Sequence, residues 1–403
     1  MGQRVREKTK GRIPGRACRE ICLLLALSAA GLLLSGCAQI NASAIQLGLA
    51  KSPYYHLGDT WWDHGGIEEY YFNQIPSEEN EIYRELYERL KNSEDKATLY
   101  AQVPTDLFWD AYYAVLADHP EFFWVGSNIQ VSEAALTGKV VSYEISSTVA
   151  PDEREAMRAQ LEAAADACIA GIGADAGDYE KIKYVYEYLI NTTDYVPGSV
   201  SDQNIQSALL YHSSVCAGYA RAFQYILHRM GLFCTYVTGK TSEGGDHAWN
   251  IVRMGDQYYN VDVTWGDPVF VGDSQGSAYS AMNYNYLCVT DAELSRTHTS
   301  DVTIPLPACT DDSYNYYRLN GMYYERFDYD RIHQALMDCV YAGRPYISLK
   351  FARYEDYERA VYELFSNGLI SDAAGYLMQI NQTSSWNYTY HTEDSFCLIT
   401  IYF

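Results

Sequence analysis

Apolar positions along the chain switch between two periods. Helical spacing of Ile82, Leu86 and Leu90 predicts a helix from Ser77 onward, and a second runs from Thr105 through Leu116 until His119-Pro120 ends it. Residues 121–149 read as strands, with Gly138 in a turn. Helical spacing returns after Asp152-Glu153 with Met157, Leu161, Cys168 and Ile172, and again from about Tyr179 to Ile190. Cys216 then opens a third such stretch, with Tyr219, Phe223, Ile226, Leu227 and Met230 on one face. Ser213 and Ser214 stand upstream as N-caps, and Gly231 is the stop signal. Strand alternation takes over at 233–239, 246–254 and 257–265, before a Gly-, Ser- and Asp-rich stretch at 268–280 expected to loop beside the last strand.

The helices-then-strands order predicts an α+β fold, and the length leaves room for two or three cores. In residues 310–403 strands flank Asn320-Gly321, a hairpin signal; helices fall near 329–341 and 354–366, and strands close the chain at 386–392 and 396–402. The expected divisions are a leader at 1–36, a tether at 37–65, an N-terminal α+β unit at 66–149, a central domain at 150–309 and a C-terminal α/β module at 310–403. That last module carries no chemical motif and reads as a docking or recognition unit. No internal repeat or coiled coil is present.

The turn between the last two central strands decides which side chains share a face. If Gly255-Asp256 is a two-residue loop, Met254 faces Gln257 and His247 faces Thr264, which makes Asp262 the diagonal neighbour of His247. A Met254-Gly255 loop puts His247 and Asp262 directly opposite, whereas a three-residue loop separates them onto opposite faces. The alternation favours the first two registers. Ala248, Val252 and Met254 then join Tyr259, Val261, Val263 and Trp265 on a core face, leaving His247, Trp249, Asn260, Asp262 and Thr264 on a face expected to be open for chemistry.

Cys216, His247 and Asp262 thus supply a thiol, an imidazole and a carboxylate in chain order, the groups needed to activate sulfur against a carbonyl carbon. Singly, each residue type is more often structural. A thiol in a first helical turn sees the positive end of the dipole, which favours the thiolate, and the free amides there can hold an oxyanion. Ala217 and Gly218 leave room for close approach. No Cys-x-x-Cys or His-x-x-x-His pair accompanies the three residues, so no metal or other cofactor is expected. His212 and His228, which flank the helix, read as structural or surface groups.

The Cys-Ala-Gly-Tyr-Ala helix start, the His-Ala-Trp-Asn strand and the Val-Asp-Val-Thr-Trp-Gly-Asp-Pro strand end resemble the transglutaminase-like superfamily over roughly residues 150–270. The resemblance implies a papain-like α+β core, in which a helix bearing the cysteine packs on an antiparallel sheet bearing the histidine and aspartate, with α+β units on either side. It implies Cys216 as nucleophile, His247 as general base and then acid, and Asp262 as the group that orients the ring. It also suggests an upstream side chain, Gln203, as oxyanion donor, and Tyr219, Trp249 and Trp265 as substrate contacts. The family holds transglutaminases, peptidases and members without activity, so the expected function is amide chemistry through a thioester, by peptidase, amidase or acyl-transfer reaction. The alternative is a non-catalytic surface protein that binds peptide or glycan.

The N-terminus reads as a targeting segment. Seven basic residues lie between Arg4 and Arg19, and Ile21 to Leu34 form an apolar run of fourteen, short of the ~20 needed to span a bilayer. The run ends in Leu34-Ser35-Gly36-Cys37, which resembles a bacterial lipobox and implies cleavage before Cys37 and lipid attachment to it. Loss of residues 1–36 removes seven positive and two negative charges and takes the net charge from −23 to about −28. So acidic a chain, with no basic patch among its aromatics, is not expected to bind nucleic acid. Its expected partners are protein or peptide substrates, including cell-envelope peptides, and the membrane that holds the lipid, in an extracytoplasmic location. Cys168, Cys234, Cys288, Cys309, Cys339 and Cys397 fit either disulfides or buried thiols. The 39 tyrosines read mainly as residues at the core edge, half-buried, with a sugar- or peptide-binding surface as the other use.

Overall fold

A computed structural model describes residues 54, 68–76, 79–267, 282–382 and 387–403. The leader, Cys37, nearly all of the tether and the 268–280 stretch lie outside the described residues.

Helices α1 (Tyr70–Gln74) and α2 (Asn80–Lys91), strand β1 (Lys96–Thr98), helix α3 (Thr105–Asp118) and strands β2 (Val125–Glu133) and β3 (Val140–Ser147) come first. The strands form an antiparallel sheet in the order β1-β3-β2. Ile82, Leu86 and Leu90 are fully buried along α2, as their spacing requires. Next are α4 (Arg154–Ile169) and α5 (Asp178–Thr192), then the two-residue strands β4 (Asp194–Tyr195) and β5 (Ser213–Ser214) on either side of α6 (Ile205–Leu209), and α7 (Cys216–Arg229). Strands β6 (Cys234–Thr241), β7 (Asp246–Met254) and β8 (Gln257–Val261) follow, then the single turn α8 (Val263–Gly266), β9 (Leu287–Val289), α9 (Asp291–Leu294) and β10 (His298–Ser300). These strands make one antiparallel sheet in the order β10-β6-β7-β8-β9.

Helix α7 is the hub of this α+β core. Tyr219, Phe223, Ile226 and Leu227 are completely buried on it, and four such side chains contribute roughly 6–12 kcal/mol of gross apolar transfer energy. They meet Ala248, Val252, Met254, Tyr259 and Val261 of the sheet in one continuous core. Polar ties fix the register of helix on sheet. Asn250 Nδ2 donates to the Ala220 carbonyl (3.0 Å) and the Thr235 carbonyl (3.3 Å), and Gln224 Nε2 donates to the Cys234 carbonyl of β6 (3.3 Å) and to the Ala117 carbonyl of α3 (2.7 Å). Gly231, at φ +73°, ends the helix while Leu232 N bonds back to Leu227 O.

The remaining elements are α10 (Tyr316–Leu319), β11 (Tyr323–Tyr324), α11 (Tyr329–Tyr341), β12 (Tyr346–Phe351), α12 (Tyr354–Phe365), α13 (Leu369–Asn381), β13 (Thr389–Glu393) and β14 (Leu398–Tyr402), with strand order β11-β12-β14-β13. Their own core includes Ile332, Leu336, Leu349, Leu364 and Ile399. The sheet face expected to stand open is covered. Val237, Trp249 and Ile251 are buried under Tyr286, Val289 and Leu294, and Tyr317, Phe396 and Leu398 of the C-terminal elements complete the cluster. At that seam the buried Lys350 ammonium donates to Asn285 Oδ1 (3.0 Å) and lies 3.3 Å from Glu293; an unpaired charge there would cost several kcal/mol.

Four local expectations are corrected. Asn320-Gly321 closes α10 rather than a hairpin, with Gly321 at φ +69°, and β11 pairs parallel to β12. Helix α13 occupies a stretch with no assigned element. The N-cap of α7 is Val215 without a side-chain cap, because the Ser214 hydroxyl is turned to Ser207 Oγ and the Asp202 carbonyl. Strand β8 stops at Val261, since the Asp262 carboxylate caps the turn that follows it.

Candidate active site

The start of α7 is strapped by the loop before it. Asp202 O accepts from Ser214 Oγ (3.2 Å) and Val215 N (3.4 Å), and its Oδ2 accepts from Gly198 N (2.9 Å). Gly218 is required here: a Cβ at that position would lie 2.1 Å from Ser214 Oγ and 2.6 Å from the Asp202 carbonyl. The room left by this glycine is therefore filled by the loop itself. The first helical bond at this end runs from Tyr219 N to Val215 O, so the amides of Cys216, Ala217 and Gly218 precede the ladder and point out of it.

All seven described cysteines carry free thiols, and only Cys216 is not buried. Burial pushes the Cys168 thiol up to about 12 and raises those of Cys234, Cys288 and Cys309 further above their ordinary range.

The hairpin takes the two-residue register, with Met254 opposite Gln257. Although β8 ends one residue before Asp262, that parity still delivers its carboxylate to His247. His247 Nε2 lies 2.7 Å from Asp262 Oδ2, with both side chains at most 2% exposed. Cys216 is near enough to raise the basicity of the same ring, and with Nε2 taken by Asp262 the nitrogen left for the sulfur is Nδ1. Burial alone would lower the basicity of His247, but the Asp262 charge and hydrogen bond outweigh it and lift its pKa to about 10. In return, despite burial, the His247 charge and the donors around it hold the Asp262 carboxyl well below its ordinary range.

Asp262 has four donors, as many as its lone pairs can take. Oδ1 accepts from Thr264 N (2.9 Å) and Trp265 N (3.2 Å), while Oδ2 faces His247 and also His298 Nε2, 3.0 Å away. His298 belongs to the edge strand β10, which reaches the site by pairing with β6, His298 opposite Thr241. Gly239 of β6 lies between Ser300 and His247, and a Cβ there would come within 2.2 Å of the Thr299 carbonyl and 2.8 Å of the Trp249 ring.

Residues 165–263 match the family model of the transglutaminase-like superfamily. The chain carries a transglutaminase-like domain. Among solved structures it is similar to a candidate cysteine protease from Cytophaga hutchinsonii, at 15% identity over 35% of this chain and 63% of that one, with a TM-score of 0.24. It is also similar to a TGase (14% identity, 45% and 51% covered, TM-score 0.26) and to menin (13%, 59% and 49%, 0.24). The chain spans less than two-thirds of the length of each. No curated protein sequence matches it.

Within the transglutaminase-like domain three expected substrate-side residues are redirected. Tyr219 is completely buried and its hydroxyl donates to the Thr193 carbonyl (2.5 Å), with Asp267 Oδ2 at 3.1 Å, so it ties α7 to the chain after the hairpin. Trp249, 3% exposed, stacks near His247 and donates Nε1–H to Asn260 Oδ1 (3.3 Å); it walls the histidines from behind. Gln203 is exposed and its amide donates to Asp202 Oδ1 (3.2 Å). Trp265 is half-buried, its ring centroid 6.0 Å from that of His247 and 4.9 Å from that of His298. His212 is exposed, and His228 Nε2 lies 2.7 Å from the Cys234 carbonyl.

Proposed function

We propose that this protein is a cysteine enzyme that cleaves or transfers amide bonds through a thioester on Cys216. The supporting observation is the buried His247–Asp262 pair set against the one cysteine thiol among the described residues that is not buried. With its pKa raised to about 10, His247 already holds the proton at neutral pH and pairs through Nδ1–H with the Cys216 sulfur, which attacks the amide carbonyl carbon. A carbon–sulfur bond forms, and the oxyanion meets the amides at the start of α7, a role for which they are better placed than the Gln203 side chain. The carbon–nitrogen bond then breaks as His247 protonates the departing amine. Water, or a second amine, gives a proton to His247 and displaces the sulfur. Hydrolysis is the favoured outcome at a site outside the cell, where water is abundant.

Anchoring through lipid on Cys37 would confine substrates to surface or envelope peptides and proteins. Among the described residues no helix is long and apolar enough to cross a membrane. The reading is tested by treating the mature protein with a chloroacetamide probe at neutral pH and mapping the label. Selective labelling of Cys216 that is lost in His247→Ala supports the enzyme. Slow labelling spread over several cysteines refutes it and favours a peptide- or glycan-binding protein.

A further inference from the structure

The carboxylate of Asp262 is shared between two imidazoles, and only one of them has a place in the mechanism above. His298 is buried with no exposed side-chain surface, and its Nε2 lies 3.0 Å from the very oxygen that holds His247. Its Nδ1 is 2.7 Å from Thr297 Oγ1. Nε2–H thus donates to Asp262, while Nδ1 meets the Thr297 hydroxyl, which also reaches the Leu294 carbonyl (3.4 Å).

The ring is clamped by aromatics from three other elements: Trp249 of β7, Trp265 of α8 and Tyr286 of the turn before β9, at centroid distances of 5.4, 4.9 and 5.7 Å. The titratable groups that face it are Asp262, His247 and the Tyr286 phenol. Burial raises that phenol well above its ordinary range, so it stays neutral through the working pH span. A buried histidine this firmly held, on a strand edge with no other charged contact, has one polar function available, which is to donate to Asp262.

We propose that His298 is a positioning residue of the Cys216–His247–Asp262 site: it fixes the Asp262 carboxylate through the same oxygen that holds His247 and divides the electron density of Oδ2 between two donors. The inference rests on the enzymatic reading above. Its chemical content is a limit on how strongly Asp262 can grip His247. Each donor on a shared oxygen weakens the other, so the second histidine keeps the His247 proton transferable to a leaving amine.

His247, Asp262 and His298 also form the one group among the described residues whose ligand atoms would suit a cation, all within 4.8 Å of one another. The separations of 2.7 and 3.0 Å are hydrogen-bond lengths, and the carboxylate already has its four donors. A bound metal ion would have to displace both ring protons.

The test uses the full mature protein with His298→Phe, which keeps a planar ring but no donor, and His298→Gln, whose amide reaches the position of Nε2. Histidine-ring NMR follows the His247 titration, and steady-state kinetics follow peptide turnover. In His298→Phe the His247 transition should move upward by about half a unit or more. The kcat should fall about tenfold, with KM unchanged because His298 touches no substrate. His298→Gln should restore both to near wild type. A His247 transition indifferent to His298→Phe, or equal losses in both variants, overturns the proposal. So does one equivalent of zinc retained by the wild type and lost in His298→Phe. The ring titration needs no turnover, so an inactive wild type whose His247 still responds to His298→Phe would sink the enzymatic reading while leaving the coupling intact.

Discussion

Replacing Asp262 by Asn removes one charge and keeps the shape, and the consequences can be worked from the four donors it serves. Oδ1 can still accept from the amides of Thr264 and Trp265, so the turn after β8 survives. The new amide nitrogen, however, must stand where Oδ2 faced two imidazole nitrogens, and a donor now meets donors. With the carboxylate present, His247 sits at about 10 against an ordinary 6.5. At about 1.4 kcal/mol per pKa unit this is a preference of roughly 5 kcal/mol for the imidazolium. Without the carboxylate, desolvation is opposed only by the smaller contribution of Cys216, and the ring should titrate well below 10. The raised His247 pKa contributes stability that is complete below the unfolded value near 6.5 and is lost as pH rises through about 10. The depressed Asp262 pKa contributes above its unfolded value near 3.8 and is lost as pH falls through its folded one. The variant should therefore be weakest relative to wild type between about pH 4 and 6.5. A loss of about 3 kcal/mol is expected there, as for a broken buried pair, and the gap should narrow as pH rises from about 6.5 to about 10. Urea unfolding at several pH values and NMR of the His247 ring measure both effects. The fall in kcat/KM at neutral pH should exceed tenfold yet stay below the ~10⁴ seen for the corresponding change in a serine-protease triad. A ring transition that stays near 10, or a kinetic effect under about threefold, would show that another group orients His247.

Three further outcomes follow from named contacts. Gly239→Ala places a methyl against the Thr299 carbonyl. Circular-dichroism melts should show a loss of about 1–3 kcal/mol, and the His298 ring signal should shift as β10 is pushed off β6. Phe223→Ala empties a completely buried site on α7 and should cost about 3–5 kcal/mol in urea unfolding; a cost below 1 kcal/mol would contradict the role of that face in holding the Cys216 end. Cys37→Ser should leave the protein uncleaved or released, whereas the wild type should partition with membranes and be open to protease added to a breached envelope. A soluble wild type with an intact N-terminus would remove the anchor and the choice of envelope substrates together.

The site was legible where chemistry and geometry were local. Helical spacing after Cys216 and the Gly255-Asp256 turn were enough to put a thiol at a helix start and to bring His247 and Asp262 to one face, because strand parity is set by turn length. Long-range pairing was not legible. His298 stands 36 positions from Asp262 in a stretch without ligand or catalytic spacing, and it arrives only because β10 joins the far edge of the sheet. The same limit explains Trp249. Alternation placed it on the face of His247, but whether that face met solvent depended on Tyr286, Phe396 and Leu398, which come from elements more remote in sequence. Asp262 misled in a different way, since a residue that continues a strand pattern can equally be an N-cap, and its two backbone donors decided the matter.

Burial of the histidine–carboxylate pair has a consequence for the traffic of protons. His247 Nε2 is committed to Asp262, and its side chain is 2% exposed, with Trp249 behind it. The remaining nitrogen faces the sulfur of Cys216, so the ring opens on one side only. A proton held there cannot trade readily with bulk water while substrate covers that side, and it stays on the ring until the departing nitrogen arrives.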